Sequence, residues 1–302
     1  MSSAERVEFP ARSVSTLVTA DGAHIAYARS GAPGAARALV LLHGVASNMS
    51  RWSEFAGQTA LGESWALLRL DLRGQGSSIH RGRIGMAEWC ADLAALLRAE
   101  GIARAVVVGH CLGANIALQF AARSPASVAG LVLIEPMPPE ALAGSMQRIA
   151  NFHPALVALA WLTRALNALG IHRRRLAALD LEQLDRETRA ALAAGPQGEA
   201  LLARYASPLA DLRSTPSSAY LQALAAVTAA WPDLRNIAAP VLALLSARSS
   251  FTDPQRTRAA LRALPDCDSV ELDARHWIPT EQPEAMRAAI ETWVARRFGN
   301  GS

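Results

Sequence analysis

Short runs of apolar residues, each ending at a glycine, histidine, aspartate or glutamate, recur along the 302-residue chain. Runs of this length are typical of strands buried on both faces of a parallel sheet. Between them, apolar residues recur at helical spacing. The predicted strands are 38–42, 65–70, 105–108, 129–134 and 241–245, with a weaker one at 269–272. Strands alternating with helices predict a doubly wound, mostly parallel α/β sheet.

The pattern departs from this alternation at two places. Near the start, Asp21-Gly22 separates two short runs and predicts a hairpin with a tight turn. From 138 to 234 the spacing is helical, with no convincing strand, and this is too long for an ordinary connection. We therefore predict a core of residues 1–137 and 235–302. Residues 138–234 would form an inserted helical cap domain over the carboxyl ends of the strands, where open α/β sheets bind ligands.

The predicted cap is rich in apolar and basic side chains. Its aromatic residues are expected mainly in the cap core, with a few lining a pocket beside Met137 and Met146. These aromatics are Phe152, Trp161, Tyr205, Tyr220 and Trp231. The run His172–Arg175 predicts a solvated helix end, with the docking of an anionic carrier group as the alternative.

The composition excludes several classes of protein. All 30 Lys and Arg positions are arginine, which excludes a lysine Schiff base and a P-loop NTPase. A net charge of +4 gives no nucleic-acid footprint. Three cysteines are too few for a disulfide framework or a zinc site. With no apolar leader and no run of ~18 apolar residues, we expect a cytoplasmic protein with neither nucleic acid nor membrane as partner.

The stretch from Ala105 to Asn115 carries the strongest chemical signal. An apolar strand runs into Gly-His-Cys-Leu-Gly, and a helical pattern begins at once. In a strand–turn–helix of this kind, the central residue projects above the sheet at the helix N-terminus. The pattern therefore predicts Cys111 as a nucleophile. A thiolate attacks thioesters and activated esters to give an acyl-cysteine. The alternative is a buried, inert thiol.

At this point the chain resembles the α/β-hydrolase superfamily over nearly its whole length. The segment His43–Ser47 follows the third predicted strand, as the family's oxyanion loop does. The segment Asp71–Ser78 matches the Asp-x-Arg-Gly-x-Gly-x-Ser turn of capped members, and Asp273–Pro279 is similar to the late histidine loop. The cysteine departs from the usual serine, although a minority of the superfamily, including dienelactone hydrolases, has cysteine there.

The resemblance implies roles for individual residues. The backbone amides of Val45 and Leu112 would form the oxyanion hole, and His276 would be the base that takes the proton of Cys111. The substrate pocket around these groups is expected to include His43, Gly44, His110, Met137 and Trp277.

The acid of the expected triad is missing from its usual place. The family has Asp about three residues past strand 241–245, and that position falls near Ser249. We favour Glu135, directly after strand 129–134, because a carboxylate there is costly to bury unless it is paired, and some members take their acid from that strand. The alternative is Asp253, although its position also suits the N-cap of a helix that begins at Pro254.

Together these features predict a hydrolase of esters or thioesters of an apolar acyl group, with an acyl-cysteine intermediate and neither metal nor organic cofactor. Its partner would be a small acyl substrate, free or carrier-bound. One alternative is an acyltransferase, cyclase or acid-eliminating enzyme on the same fold. Another is a ligand-binding homologue without turnover. Neither the substrate nor the oligomeric state follows from the sequence.

Overall fold

An eight-stranded sheet forms the centre of the protein in the computed structural model, which describes residues 14–195 and 197–299. The strand order is β1-β2-β4-β3-β5-β6-β7-β8, with β1 and β2 antiparallel to their neighbours and the others parallel. The strands are β1 (Val14–Val18), β2 (His24–Gly31), β3 (Ala38–Leu42), β4 (Ala66–Leu70), β5 (Ala105–His110), β6 (Val128–Ile134), β7 (Val241–Ser246) and β8 (Cys267–Leu272). Every predicted strand is confirmed, and Asp21-Gly22 lies in the turn between β1 and β2.

Helices pack against both faces of this sheet. The described helices are α1 (Ser53–Gln58), α2 (Met86–Ala99), α3 (Leu112–Arg123), α4 (Gly144–Asn151), α5 (His153–Ala168), α6 (Leu181–Ala194), α7 (Gln197–Arg204), α8 (Pro208–Ser214), α9 (Ser217–Val227), α10 (Pro254–Leu261), α11 (Ile278–Glu281) and α12 (Pro283–Phe298). Short 3₁₀ turns cover Met49–Trp52, Ala60–Glu63, Pro125–Ser127, Pro139–Ala141 and Leu234–Asn236. None of the described helices is long and apolar enough to cross a membrane.

The two faces of the sheet bury separate apolar clusters. Side chains of β5 alternate between them, so Val107 packs with α2 and α3, while Val106 and Val108 pack with Trp293 of α12. Both clusters are almost fully buried, which explains why these strands read as continuous apolar runs. The predicted doubly wound fold class is confirmed.

Between β6 and β7 the described chain contains helices and turns, and no strand. A buried ion pair ties this segment to the core, because Arg51 Nη1 lies 2.5 Å from Asp185 Oδ1 of α6. The amide nitrogen of Gln222 in α9 donates to Gly82 O, and its oxygen accepts from Ile84 N. The helical segment therefore lies against the sheet domain, and the domain limits at 138 and 234 stay a prediction.

The parallel register aligns the carboxyl ends of the central strands. Leu42 of β3 pairs with Gly109 of β5, and Ile134 of β6 pairs with His110 on one side and Leu244 of β7 on the other. Residues that directly follow these strands consequently meet at one edge of the sheet. That edge carries the groups described next.

Candidate active site

Cys111 occupies a tight turn between β5 and α3. Its φ is 54°, a left-handed conformation that is rare for residues other than glycine. A Cβ on Gly109 would lie 2.2 Å from Gly113 O, and one on Gly113 would lie 2.5 Å from Leu42 O. Only glycine therefore fits at positions 109 and 113. The turn is fixed by a hydrogen bond of 2.9 Å from Cys111 N to Ile134 O.

His276 lies in the loop that follows β8, and two carboxylates hold that loop. The Glu281 carboxylate accepts hydrogen bonds from the backbone amides of Arg275 at 3.0 Å and Trp277 at 3.1 Å. Nδ1 of the His276 ring lies 3.1 Å from Oε2 of Glu135. With Nδ1 engaged, the Nε2 side of the ring is available to the Cys111 thiol, with which His276 forms a side-chain hydrogen bond.

Glu135 is the first residue after β6, and it is buried in a polar niche. Its φ of 48° turns the side chain back over the sheet edge, and Glu135 N donates to Leu244 O at 2.9 Å. Its Oε1 accepts from Ser246 N at 2.6 Å, and its Oε2 accepts from Ser249 Oγ at 2.7 Å. Ser249, at the position where the resemblance leads one to expect an acid, thus hydrogen-bonds a carboxylate supplied by the neighbouring strand.

The other possible acid, Asp253, serves a different purpose. Its Oδ1 accepts from the backbone amides of Gln255 at 2.9 Å and Arg256 at 3.0 Å, which makes it the N-cap of α10. Within the described chain it makes no contact with His276. The structure therefore brings Glu135, and not Asp253, to the imidazole.

Opposing effects set the protonation of His276. Burial alone would lower its pKa, but hydrogen bonds to the Cys111 and Glu135 side chains, together with their negative charges, raise the pKa of His276 to about 9. Both neighbouring side chains therefore favour the protonated form of the His276 ring.

We expect the Cys111→Ala substitution to lower the pKa of His276, because it removes one hydrogen bond and one negative charge while burial remains. The pKa is measurable by following the His276 ring signals in ¹H–¹⁵N spectra against pH. Cys267→Ala, a change on β8 outside this site, is the matched control and should leave the titration in place. An unchanged His276 titration in Cys111→Ala would show that the thiol and ring do not interact.

Two backbone amides next to Cys111 have no acceptor. Neither Val45 N nor Leu112 N has a hydrogen-bond partner among the described residues. Val45 lines the cavity beside Cys111, and Leu112 N belongs to the first residue of α3, where helix amides have no partner within the helix. The oxyanion-hole role of this pair stays a prediction.

His43 fixes the orientation of one of these amides. Its Nε2 accepts from Leu72 N at 3.0 Å, so the hydrogen lies on Nδ1, which donates to Gly44 O at 2.8 Å. Since C=O and N–H of one peptide point in opposite directions, this bond turns Val45 N–H away from His43. Burial lowers the pKa of His43 to about 4, which keeps the ring neutral. His43 is fully buried and does not line the cavity, so its predicted place in the substrate pocket is wrong.

His110 hydrogen-bonds the loop that carries His276. Its Nε2 lies 3.1 Å from the backbone oxygen of His276 and donates to it. Burial, followed by the nearby charge of His276, holds the pKa of His110 well below its usual value. A neutral His110 therefore positions the His276 loop and also contributes to the cavity wall.

A cavity of about 320 Å³ opens onto Cys111 and His276. Four of the predicted pocket residues line it, namely Gly44, His110, Met137 and Trp277. Of the cap aromatics, Tyr205 and Tyr220 line it as well. Phe152 and Trp161 lie in neither the core nor the cavity, since they are 70% and 65% exposed. For these two the prediction of burial in the cap is wrong, because α5 packs on one side only.

No signal in the sequence indicated several polar contacts around the cavity. Arg51 donates hydrogen bonds to Thr280 Oγ1 at 2.5 Å and to Asp185. Asp185 also accepts a hydrogen bond from the Tyr205 hydroxyl at 2.7 Å. Asp211 contacts the Tyr220 hydroxyl, and burial raises the pKa of Asp211 to about 7. These partners are distant along the chain, so no local pattern links them.

The arrangement has the parts of a nucleophilic site. The Cys111 thiol hydrogen-bonds the His276 ring, the ring contacts the buried Glu135 carboxylate, and Val45, whose amide has no partner among the described residues, lines the cavity that opens onto the thiol. Among the residues described, no cluster of three or more His, Cys, Asp or Glu side chains is placed to hold a metal ion. The chemistry available to these side chains is attack on a carbonyl carbon with general acid–base assistance.

A known protein family matches most of the chain. The model of the alpha/beta hydrolase fold family matches residues 37–283. RutD of Caulobacter vibrioides, which carries the provisional name of carbamate hydrolase, is 35% identical over 122 residues, or 39% of this chain and 44% of that protein. This chain thus matches less than half the length of that relative.

Solved structures share the fold over nearly the full length. A hydrolase from Pseudomonas aeruginosa PA01 is 24% identical, with a TM-score of 0.68 over 93% of this chain and 98% of that one. The enol-lactonase from Burkholderia xenovorans LB400 is 20% identical, with a TM-score of 0.65 over 93% of this chain and 100% of that one. The family match, the strand order and the cysteine turn agree, and the chain belongs to the α/β-hydrolase family.

Proposed function

We propose that the protein hydrolyses an ester or thioester of an apolar acyl group through an acyl-cysteine intermediate on Cys111, with His276 as base and Glu135 as acid. The observation that carries this proposal is the continuous contact from Cys111 through His276 to Glu135 at the floor of the cavity. The lack of an acid at Ser249 would favour a binding protein without turnover. The carboxylate of Glu135 removes that argument.

In the first half of the reaction, the Cys111 sulfur attacks the acyl carbonyl carbon after its proton has passed to His276. The carbonyl oxygen gains the negative charge and accepts hydrogen bonds from Val45 N and Leu112 N. Each donor of this kind lowers the activation barrier by about 3 kcal/mol. The tetrahedral intermediate collapses, His276 gives its proton to the departing oxygen or sulfur, and the acyl group stays on Cys111 as a thioester.

In the second half, water attacks the acyl-cysteine. His276 takes a proton from the water as the new bond to the acyl carbon forms. The same two amides stabilise the second oxyanion. Collapse breaks the carbon–sulfur bond, releases the carboxylic acid and returns the proton to the Cys111–His276 pair. Glu135 holds the ring in one tautomer throughout and stabilises its protonated form.

The cavity wall supports an apolar acyl portion. Side chains of three different elements supply its hydrocarbon surface, namely Met137 after β6, Met146 and Ile149 of α4, and Leu224 and Val227 of α9. The names of the relatives agree with this class of reaction, since RutD is named for a carbamate and the Burkholderia xenovorans protein for an enol-lactone. Both names denote cleavage beside a carbonyl group.

The experiment is to trap the acyl-enzyme. The protein is mixed with p-nitrophenyl esters and simple thioesters of increasing chain length, quenched in acid within the first turnovers, and weighed intact by mass spectrometry. We expect a mass increase equal to the acyl group, located on the Cys111 peptide and removed by hydroxylamine. Cys90→Ala and Cys267→Ala are the matched controls and should give the same adduct.

Turnover with an adduct elsewhere, or no turnover of any ester or thioester, would overturn the proposal. The same reactions run with added alcohol or amine distinguish hydrolysis from acyl transfer. A free acid as main product supports the hydrolase, and a new ester or amide supports an acyltransferase. Either product with an adduct on Cys111 retains the acyl-cysteine intermediate.

A further inference from the structure

The outer surface of the cap exposes large apolar side chains. Phe152 and Trp161 are 70% and 65% exposed, and Leu169 and Ile171, just beyond the end of α5, are 75% and 60% exposed. Leu162 of α5 is exposed as well. Single exposed hydrophobic side chains are ordinary, but several on one helix and in the loop after it indicate an interaction surface.

The packing of α5 explains why this face is open. The helix lies against α9, where Asn167 Nδ2 donates to Ser218 Oγ at 2.7 Å, and only Ala160 of its residues is fully buried. Apart from Arg164 at one position, α5 has no charged residue. A helix apolar on all sides with one side in the core leaves its other side without a partner.

Positive charge is concentrated in the chain segment that carries these apolar residues. Between Glu140 and Asp180 the chain has no acidic residue and five arginines. They are Arg148, Arg164, Arg173, Arg174 and Arg175. Within the part of the chain that the structure describes, none of the five forms a salt bridge.

The cationic and apolar groups share one surface. Arg81, Trp161 and Arg164 line a surface hollow of about 410 Å³. Arg81 also lines an adjoining hollow of about 140 Å³ with Ile171 and Arg173. An apolar ring with guanidinium groups beside it suits the interface of a bilayer, where hydrocarbon meets anionic headgroups.

We propose that this cap surface, formed by Phe152, Trp161, Leu162, Leu169, Ile171 and the arginines around them, docks the protein onto an anionic phospholipid bilayer. The α5 helix would lie parallel to the membrane with its apolar face among the acyl chains and the arginines at the phosphates. The expectation that the membrane is not a partner rested on the lack of a long apolar run in the sequence, and docking onto the surface of a bilayer needs no such run. A second copy fits less well, because a symmetric dimer would set the unpaired arginines of both copies against each other.

Docking would bring the catalytic cavity close to the membrane. The α4 helix ends at Asn151, directly before α5, and its Met146 and Ile149 line the cavity that opens onto Cys111. An apolar substrate dissolved in the bilayer would then lie next to the cap. The docking itself does not depend on the proposed reaction, and its test uses no substrate.

The test is co-sedimentation of the full chain with vesicles of phosphatidylglycerol and phosphatidylcholine, compared with phosphatidylcholine alone. We expect binding to the anionic vesicles that weakens with salt, and at least tenfold weaker binding to the neutral ones. Three exposed arginines changed together, Arg148→Gln, Arg174→Gln and Arg175→Gln, should weaken binding by on the order of 100-fold. The charge-matched control is Arg98→Gln, Arg123→Gln and Arg262→Gln on the sheet domain, which should bind like the wild type.

The apolar part is tested separately. Trp161→Ser with Leu169→Ser should weaken vesicle binding roughly tenfold or more, whereas Val14→Ser with Val18→Ser, at equally exposed positions on β1, should not. No binding of the wild type to anionic vesicles overturns the proposal. The proposal is also overturned if the control variants lose as much vesicle binding as the cap variants do. Sedimentation velocity gives the remaining outcome: a dimer that the Trp161→Ser and Leu169→Ser variant alone dissociates would assign the surface to a second copy and overturn docking.

Discussion

Cys111→Ala is expected to lower kcat/KM for an ester or thioester substrate by about 10⁴-fold or more, while the protein stays folded. The sulfur supplies the bond-forming electron pair, and among the described residues no other nucleophilic side chain that lines the cavity contacts His276. The loss of one buried sulfur atom should cost at most about 1–2 kcal/mol of stability. Steady-state kinetics together with thermal unfolding measure both effects.

The other two cysteines provide the matched controls. Burial raises the pKa of Cys90 to about 12 and that of Cys267 to about 11, so both thiols stay protonated at neutral pH. Cys90→Ala and Cys267→Ala should retain turnover, and a thiol-reactive probe at pH 7 should label Cys111 first. Full activity in Cys111→Ala would eliminate the acyl-cysteine mechanism. Equal labelling of all three thiols would argue against the thiolate–imidazolium pair.

Glu135→Gln should lower kcat by roughly 10³-fold, with a smaller change in KM. The amide keeps the shape of the side chain, and its oxygen still accepts from Ser246 N. It removes the negative charge that stabilises protonated His276 and offers an NH₂ group where the ring needs an acceptor. The pKa of His276 should therefore fall in this variant, and ring titration by NMR detects the change independently of turnover.

Asp253→Asn is the control for this prediction. Asparagine caps helices as well as aspartate does, so α10 should remain stable and kcat should stay near the wild-type value. If Asp253→Asn lowered kcat more than Glu135→Gln, the acid would have to come from the loop after β7. If neither variant changed kcat or the pH profile, no carboxylate would be acting on His276.

Much of the fold was predictable because short apolar runs in the sequence mark its strands. A strand buried on both faces must be apolar at every position, and β3, β5 and β7 are runs of this kind. The weak β8 is partly exposed along its whole length because it lies at the sheet edge with one neighbour. The cap lacked such signals, and the sequence placed Phe152 and Trp161 inside it because apolar side chains usually mark a core.

The sequence by itself determined the individual strands, the turn that presents Cys111, and the late loop with His276, because each is marked by residues close together in the chain. Glycine at 109 is required by the turn itself, and glycine at 113 by the close approach of the backbone after β3. Only the tertiary structure decided between Glu135 and Asp253, which both follow strands ending at the same sheet edge. The choice depends on which carboxylate reaches the imidazole across strands more than 100 residues apart in sequence. The exposed face of α5 was also decided by the tertiary structure. A helix that is apolar on all sides is expected to be buried, but only the folded molecule shows whether enough neighbouring elements are present to cover it.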